Sequence, residues 1–446
     1  MDGAELKQLL TEVLQIDDLL NFAKSYGVVE REGQLDVVGF LLALVLHGGT
    51  HEGGRQVDVL RTYLEQGYPK VERSSFYERF TDSVRRLLEA LLERAIRAGQ
   101  RQAPLLPGSL SGVKDWWVFD STTVRPPRAS KELYRGTGDY AALKVHKVDS
   151  IGTNNLVSYA LSPASEHDAR HLDVTDALRG YGILFDLAYV SLARLGDCDA
   201  RHVTYVCRLK ENWKPTVTRL VRGTCAEPLG SDEDFDVLLE DDVLVLDGKA
   251  IDAEVVLGRG AVRVPARLVG VPTPKGYCFF LTNLSRATHG PLQVGDLYRC
   301  RREIEVDNAV DEEGARLDEV GASKDASIRI VLLASMISAT LSRTVVQSEK
   351  LAIRKGKKPG QPADRPPLHA IQLMKAMTVW YRRFADMLLD PSTSPFEWNR
   401  TRSRLRSLAE DPNWRRKPSV LDVIQGLTAP SLPKRSKTAG AAKARA

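Results

Sequence analysis

Residues 116–124 read Trp116-Trp117-Val118-Phe119-Asp120-Ser121-Thr122-Thr123-Val124. Four apolar residues in succession fit a buried strand, and the carboxylate that follows is expected at the strand's end, fixed by the buried segment behind it. Ile183-Leu184-Phe185-Asp186 repeats the arrangement. An Asp at one strand end is usually a turn residue. Two of them converge on one point when their strands are neighbours, and open sheets place their ligands at such ends. Like charges held close repel, and a divalent cation that favours hard oxygen ligands, Mg²⁺ or Mn²⁺, relieves the repulsion.

The residues around these strands read as a mixed α/β core. Leu143 to Val148, Leu156 to Leu161 and Val203 to Leu209 are further strands; His171 to Leu178 and Leu187 to Leu195 read as helices. Upstream, Pro104, Pro107 and Gly108 mark a linker. Before it the chain is helical in pattern, with Leu9, Leu10, Val13 and Leu14 and later Leu87, Leu88, Leu91 and Leu92 at helical spacing. Ser75-Phe76-Tyr77-Glu78 matches a capping box, so a helix is expected to start near Ser75, suited either to reading DNA or to packing in a bundle. From about Thr224 to Asn283 valines and leucines alternate with Gly, Pro and Asp turn signals, which predicts a β-rich insertion. Helical pattern returns from Val294 and continues from Val331 to Leu341. The expected organisation is a helical N-terminal DNA-binding domain over 1–108, a catalytic core over 109–345 containing the insertion at 224–284, and a basic helical C-terminal region with a disordered tail over 346–446.

A third stretch carries the most specific signal. Tyr298-Arg299-Cys300-Arg301-Arg302-Glu303-Ile304-Glu305 read as a helix sets Tyr298, Arg301, Glu305, Asn308 and Glu312 along one face, while Leu297, Cys300 and Ile304 face the sheet. One polar stripe thus offers a carboxylate flanked by a guanidinium and a phenol.

With the stripe set beside the two aspartates, the chain resembles the IS-four family of bacterial insertion-sequence DDE transposases, whose signature is Tyr-x-x-Arg-x-x-x-Glu followed seven residues later by Lys. Phe119 to Val124 resembles the family's first-aspartate strand; Phe185-Asp186 with Tyr189, and Tyr205 to Lys210, resemble its second-aspartate region. Glu312 occupies the place of the family's Lys, and Arg302 that of a common aromatic. The resemblance implies an RNase H-like core in which Asp120, Asp186 and Glu305 are catalytic and hold two Mg²⁺ or Mn²⁺ ions, with Asp120 bridging both. Tyr298, Arg301 and Arg302 would contact the DNA. Such an enzyme cleaves double-stranded DNA at the terminal inverted repeats of an insertion sequence and joins the freed 3′-hydroxyl to target DNA, acting as a dimer in the bacterial cytoplasm beside the nucleoid. Two other readings use the same residues: an RNase H-like nuclease without strand transfer, and a domesticated or inactive transposase that only binds DNA. Lys144 and His146, on the next strand, could lie near the site or serve the structure.

Composition narrows the field. The 446 residues carry 63 Lys and Arg against 58 Asp and Glu, a net charge of +5 too small by itself to imply a nucleic-acid partner. Distribution matters more: Arg354-Lys355-Gly356-Lys357-Lys358, then Arg400, Arg402, Arg404 and Arg406, then Arg415-Arg416-Lys417, are expected to track phosphates. The five cysteines include no C-x-x-C pair, which argues against a disulfide framework or zinc ribbon and suits a reducing cytoplasm. Acidic residues open the chain, against a signal peptide, and the apolar run Val37 to Leu46 is too short to span a bilayer. A sugar hydrolase built on paired carboxylates would leave the Tyr-Arg-Glu stripe and the basic end unexplained.

Overall fold

The computed structural model describes residues 2–29, 35–47, 56–227, 232–241, 243–258, 262–302, 324–355, 357, 361, 365–414, 416 and 418–429. The N-terminal helices are α1 (Gly3–Leu14), α2 (Leu19–Ser25), α3 (Val37–His47), α4 (Gln56–Glu65), α5 (Arg73–Tyr77) and α6 (Asp82–Gln100). The strands β1 (Trp116–Val124), β2 (Leu143–Ser150), β3 (Leu156–Pro163) and β4 (Gly182–Phe185) precede α7 (Leu192–Ala200) and β5 (Thr204–Arg208). Then come β6 (Thr216–Arg222), β7 (Thr224–Cys225), β8 (Glu233–Asp234), α8 (Phe235–Glu240), β9 (Leu244–Val245), β10 (Ile251–Leu257), β11 (Val264–Thr273), β12 (Gly276–Thr282) and α9 (Pro291–Arg299). The described chain ends with α10 (Asp325–Arg354), α11 (Ala370–Val379), α12 (Tyr381–Leu389), α13 (Pro395–Ala409) and α14 (Val420–Ile424).

A ten-stranded sheet runs in the order β3-β2-β1-β4-β5-β12-β11-β10-β6-β8. Strands β3, β2 and β1 are antiparallel, while β1, β4 and β5 are parallel, with α7 making the crossover between the last two. This is the RNase H-like core expected of the sequence. The β-rich segment extends the same sheet, because β12 pairs antiparallel with β5. Its strands begin at Thr216, ahead of the expected Thr224.

Gly182 makes the central pairing possible. A Cβ there would meet the Trp116 ring at 2.4 Å, so only glycine lets the indole lie across β4. The alternation of β1 then separates two cores. Trp116 and Val118 face a layer shared with Leu184, Val206, Val294 and Leu297, which brings α9 onto that side. Phe119 faces the other side with Phe185, Tyr205 and the α7 residues Leu195 and Cys198.

The largest core joins both ends of the chain. Leu10 of α1, Phe40 of α3, Leu88 and Leu92 of α6, Ile337 of α10, Phe384 of α12 and Trp398 of α13 belong to one apolar cluster, which reaches the sheet at Val124, Leu143 and Val145. The 30-residue α10 is, among the described residues, the one helix long and apolar enough to cross a membrane, and its apolar window is wholly buried inside the protein. Its polar side chains dock it on the sheet: Arg343 Nη1 lies 2.8 Å from Asp149 of β2, and Thr344 Oγ1 donates to Asn155 at 3.1 Å.

Several local expectations are corrected. Strand β1 runs on to Val124, so Asp120 sits in mid-strand rather than at its end. Residues expected as a helix from His171 form separate 3₁₀ turns at Asp168–His171 and Asp176–Leu178, and α7 begins at Leu192 with Ser191 as its cap, five residues later than Leu187. The expected capping box is also displaced. Helix α5 begins at Arg73 and ends at Tyr77, with Phe76 packed inward against Phe40 and Tyr63; the longer helix is capped by Thr81.

Candidate active site

Side chains two apart on a strand share a face, so Asp120 points to the side of Trp116 and Val118, and Asp186 to the side of Leu184. These strands are parallel neighbours. Helix α9 covers that face, held by Val294, Leu297 and the following Cys300; it carries Tyr298 and leads directly into Arg301. The Tyr298 hydroxyl donates to the Phe185 carbonyl at 3.3 Å, immediately before Asp186, and its ring lies 5.1 Å from that of Phe280. Burial pushes the phenol up to about 12, so it stays a donor at neutral pH.

Arg301 follows on the next turn. Its Nη2 stands 3.4 Å from Asp186 and 3.9 Å from Asp120, which brings both carboxylates within reach of one guanidinium nitrogen. Arg301 is nearly buried, with 10% of its side chain exposed, whereas Asp120 and Asp186 remain open to solvent at 20% and 36%. Two hard-oxygen ligands that converge yet stay accessible fit a divalent cation of the Mg²⁺ or Mn²⁺ type. Among the described residues no three acidic, His or Cys side chains gather at metal-binding spacing. Glu305, expected as the third ligand, and Glu312 lie outside the described residues. Arg302 is exposed.

The site holds a lysine that the sequence reading passed over. Lys147 is the Cα partner of Asp120 in the β1–β2 register, so its side chain rises from the same face, and the residue is only 4% exposed. The two β2 residues singled out from sequence go elsewhere. Lys144 and His146 pair with Thr123 and Ser121 and so project from the opposite face. There Lys144 Nζ lies 2.8 Å from Asp168, and the Ser121 hydroxyl donates to the same carboxylate at 3.1 Å. Burial works against the charge on Asp168, but Lys144 and Ser121 outweigh it and hold its carboxyl below the usual range. His146 stacks on His171 with ring centres 3.6 Å apart and shares a 2.9 Å hydrogen bond with Ser162. Burial, with the His171 ring beside it, pushes His146 down to about 4. Alternation could have separated Lys144 and His146 from Lys147, but 18 residues lie between β1 and β2, and so long a connection fixes no register from sequence.

The arginines of α13 divide as well. Arg402 and Arg406 turn inward to Glu349 of α10, whose side chain is 2% exposed; the Arg406 contact is 2.7 Å. Both engage a buried carboxylate of the helical core.

Residues 114–341 match a family model described as the transposase DDE domain, which is more than half of the chain. The chain belongs to the DDE transposase family. It is therefore a transposase, an enzyme of DNA transposition and recombination. Among solved structures, a cryo-EM piggyBac transposase synaptic complex with hairpin DNA is similar at a TM-score of 0.46 and 11% identity, over 92% of this chain and 86% of that one. No curated protein matches the chain.

Proposed function

We propose that this transposase makes metal-dependent cuts at the ends of an insertion sequence of the IS-four type and joins the freed ends to target DNA, as a dimer on DNA in a bacterial cytoplasm. The observation that carries the reading is the convergence of Asp120 and Asp186 on the Arg301 guanidinium. Asp120, Asp186 and Glu305 would hold two divalent ions. When bound, such ions activate the attacking water or 3′-hydroxyl and stabilise the leaving oxygen.

The protein's own residues do the rest. Arg301 presents a planar donor fork to the scissile phosphate. Tyr298 fixes the end of α9 on the Phe185 carbonyl and so aims Arg301 at Asp186. Arg302, exposed on the adjoining turn, meets the DNA backbone. Where the family motif has a cation seven residues beyond its Glu, this chain has Glu312; Lys147, on the sheet face of Asp120, supplies positive charge to the site instead.

The test is a nicking and end-joining assay with Mg²⁺ on DNA carrying the element's terminal repeats. Asp120→Asn and Asp186→Asn should each abolish both products while leaving DNA affinity within about 3-fold, since they remove metal ligands rather than phosphate contacts. Nicking that survives Asp120→Asn would refute the mechanism. Nicking without joined products would leave a nuclease, and DNA binding without any cutting by the unaltered protein would leave the domesticated form.

A further inference from the structure

The outward face of α13 carries a stripe at four-residue spacing: Phe396, Arg400, Arg404 and Leu408. It lines a groove of about 700 Å³ closed on one side by Trp380, at the junction of α11 and α12. The inward residues Trp398, Leu405 and Ala409 are buried, and Arg402 and Arg406 are engaged by Glu349. The stripe has no such work. Phe396 is 73% exposed and Leu408 53%. Among the described residues no carboxylate pairs with Arg400 or Arg404, and the Arg404 guanidinium lies over the Trp380 ring, 5.3 Å from its centre. Arg383 approaches the same ring at 5.9 Å while pairing with Glu397.

We infer that this groove docks DNA through unpaired nucleotides, stacking bases on Trp380 and Phe396 and holding phosphates with Arg400 and Arg404. The inference rests on the proposed action at DNA ends. Charge complementarity selects the occupant: two arginines about one helical turn apart along α13, with no lining carboxylate, suit a polyanion. The two aromatic faces select within that class. A duplex hides its base faces in the stack, whereas frayed or single-stranded nucleotides offer them, and stacking on aromatic rings beside arginines is how sequence-tolerant single-strand sites work. An apolar partner would leave Arg400 and Arg404 desolvated without a counter-charge, which burial penalises.

The experiment measures binding of the full chain, in EDTA so that no DNA is cut, to two duplexes of one sequence, one blunt and one with a short single-stranded thymine overhang. The unaltered protein should bind the overhang duplex roughly 10-fold more tightly. Trp380→Leu and Phe396→Leu should each erase most of that preference while leaving blunt-duplex affinity unchanged; the exposure of Phe396 makes its substitution safe for the fold. Arg400→Gln with Arg404→Gln should weaken binding to both duplexes and lower the salt slope by about two. Equal binding of the two duplexes by the unaltered protein overturns the inference, as does an overhang preference that persists in both aromatic variants. A groove that takes a second copy of the chain would show as a loss of oligomer mass in Phe396→Leu with DNA binding intact, and that too overturns it. Cleavage by the unaltered protein, read in parallel with Mg²⁺, separates these failures from failure of the transposase mechanism itself.

Discussion

One guanidinium nitrogen set between two carboxylates offsets half of their charge before any ligand arrives. Asp120 and Asp186 would otherwise face each other in a half-dry cleft, where like charges are costly. Lys147 adds a second cation on the same face, nearly buried, and a buried ammonium is retained only where it meets negative charge. Lys147→Met keeps the bulk and removes the charge. It should cut the cleavage rate about 10- to 100-fold with little loss of DNA affinity, corresponding to a charge-assisted contact of roughly 1.5–3 kcal/mol made at the reacting centre. Lys147→Arg should recover part of the rate, and activity indifferent to both variants would assign Lys147 to the fold alone. His146, on the far face, gives a pH signature instead. Its pKa in the fold, about 4, lies below that of the unfolded chain, so the unfolded state takes up the proton first as pH falls. The stability it contributes is complete above about pH 6.5 and is lost as pH drops toward 4. Urea unfolding between pH 7.5 and 4.5 should show this loss, and His146→Gln should flatten the slope over that interval. An unchanged slope would mean that other groups carry it.

At the scale of elements, a buried ion pair joins helix α10 to the sheet beside the apolar contacts and the Thr344 bond. Asp149 is fully buried and Arg343 nearly so, and removing one partner of such a pair strands the other. Asp149→Ala should therefore destabilise the protein by about 3–5 kcal/mol in urea unfolding. Asp149→Leu combined with Arg343→Met should recover most of that loss, and additive losses would contradict the pairing. This pair was not legible in the sequence, since 194 residues separate its members and nothing local couples them. What was legible had a short period. The runs at 116–119 and 183–185 announced β1 and β4, and the i, i+3 spacing of Tyr298 and Arg301 set both toward Asp186. Errors arose where tertiary contacts override local preference. The stretch from His171 to Leu178 forms short turns rather than a helix, with Leu172, Val174 and Leu178 packed into the core beside α7. Among the arginines of α13, composition could not distinguish those facing Glu349 from those facing solvent.

Across the whole molecule, the candidate site lies at a seam. On one sheet face, Val118 lies under α9 and Val124 under the helical mass of α10 and the N-terminal helices, and Asp120 stands between them. A cation held by Asp120 and Asp186 would tie β1 to β4 beneath α9, so its binding energy adds to folding energy: a ligand at 100 times its Kd, bound only by the folded state, stabilises by about 2.7 kcal/mol. Thermal unfolding of the protein should accordingly shift upward by roughly 2–4 °C as Mn²⁺ is raised from zero to saturation. Asp120→Asn and Asp186→Asn should show no shift. Arg301→Gln distinguishes this site from non-specific ion binding, because the guanidinium and the metal compete for the same carboxylates. Without Arg301 the two aspartates are left to repel each other, so the variant should unfold at a lower temperature in EDTA and gain more from Mn²⁺ than the unaltered protein does. If Arg301→Gln gains less, the arginine supports metal binding rather than standing in for it. If the unaltered protein and Asp186→Asn shift equally, the cation binds somewhere other than between β1 and β4.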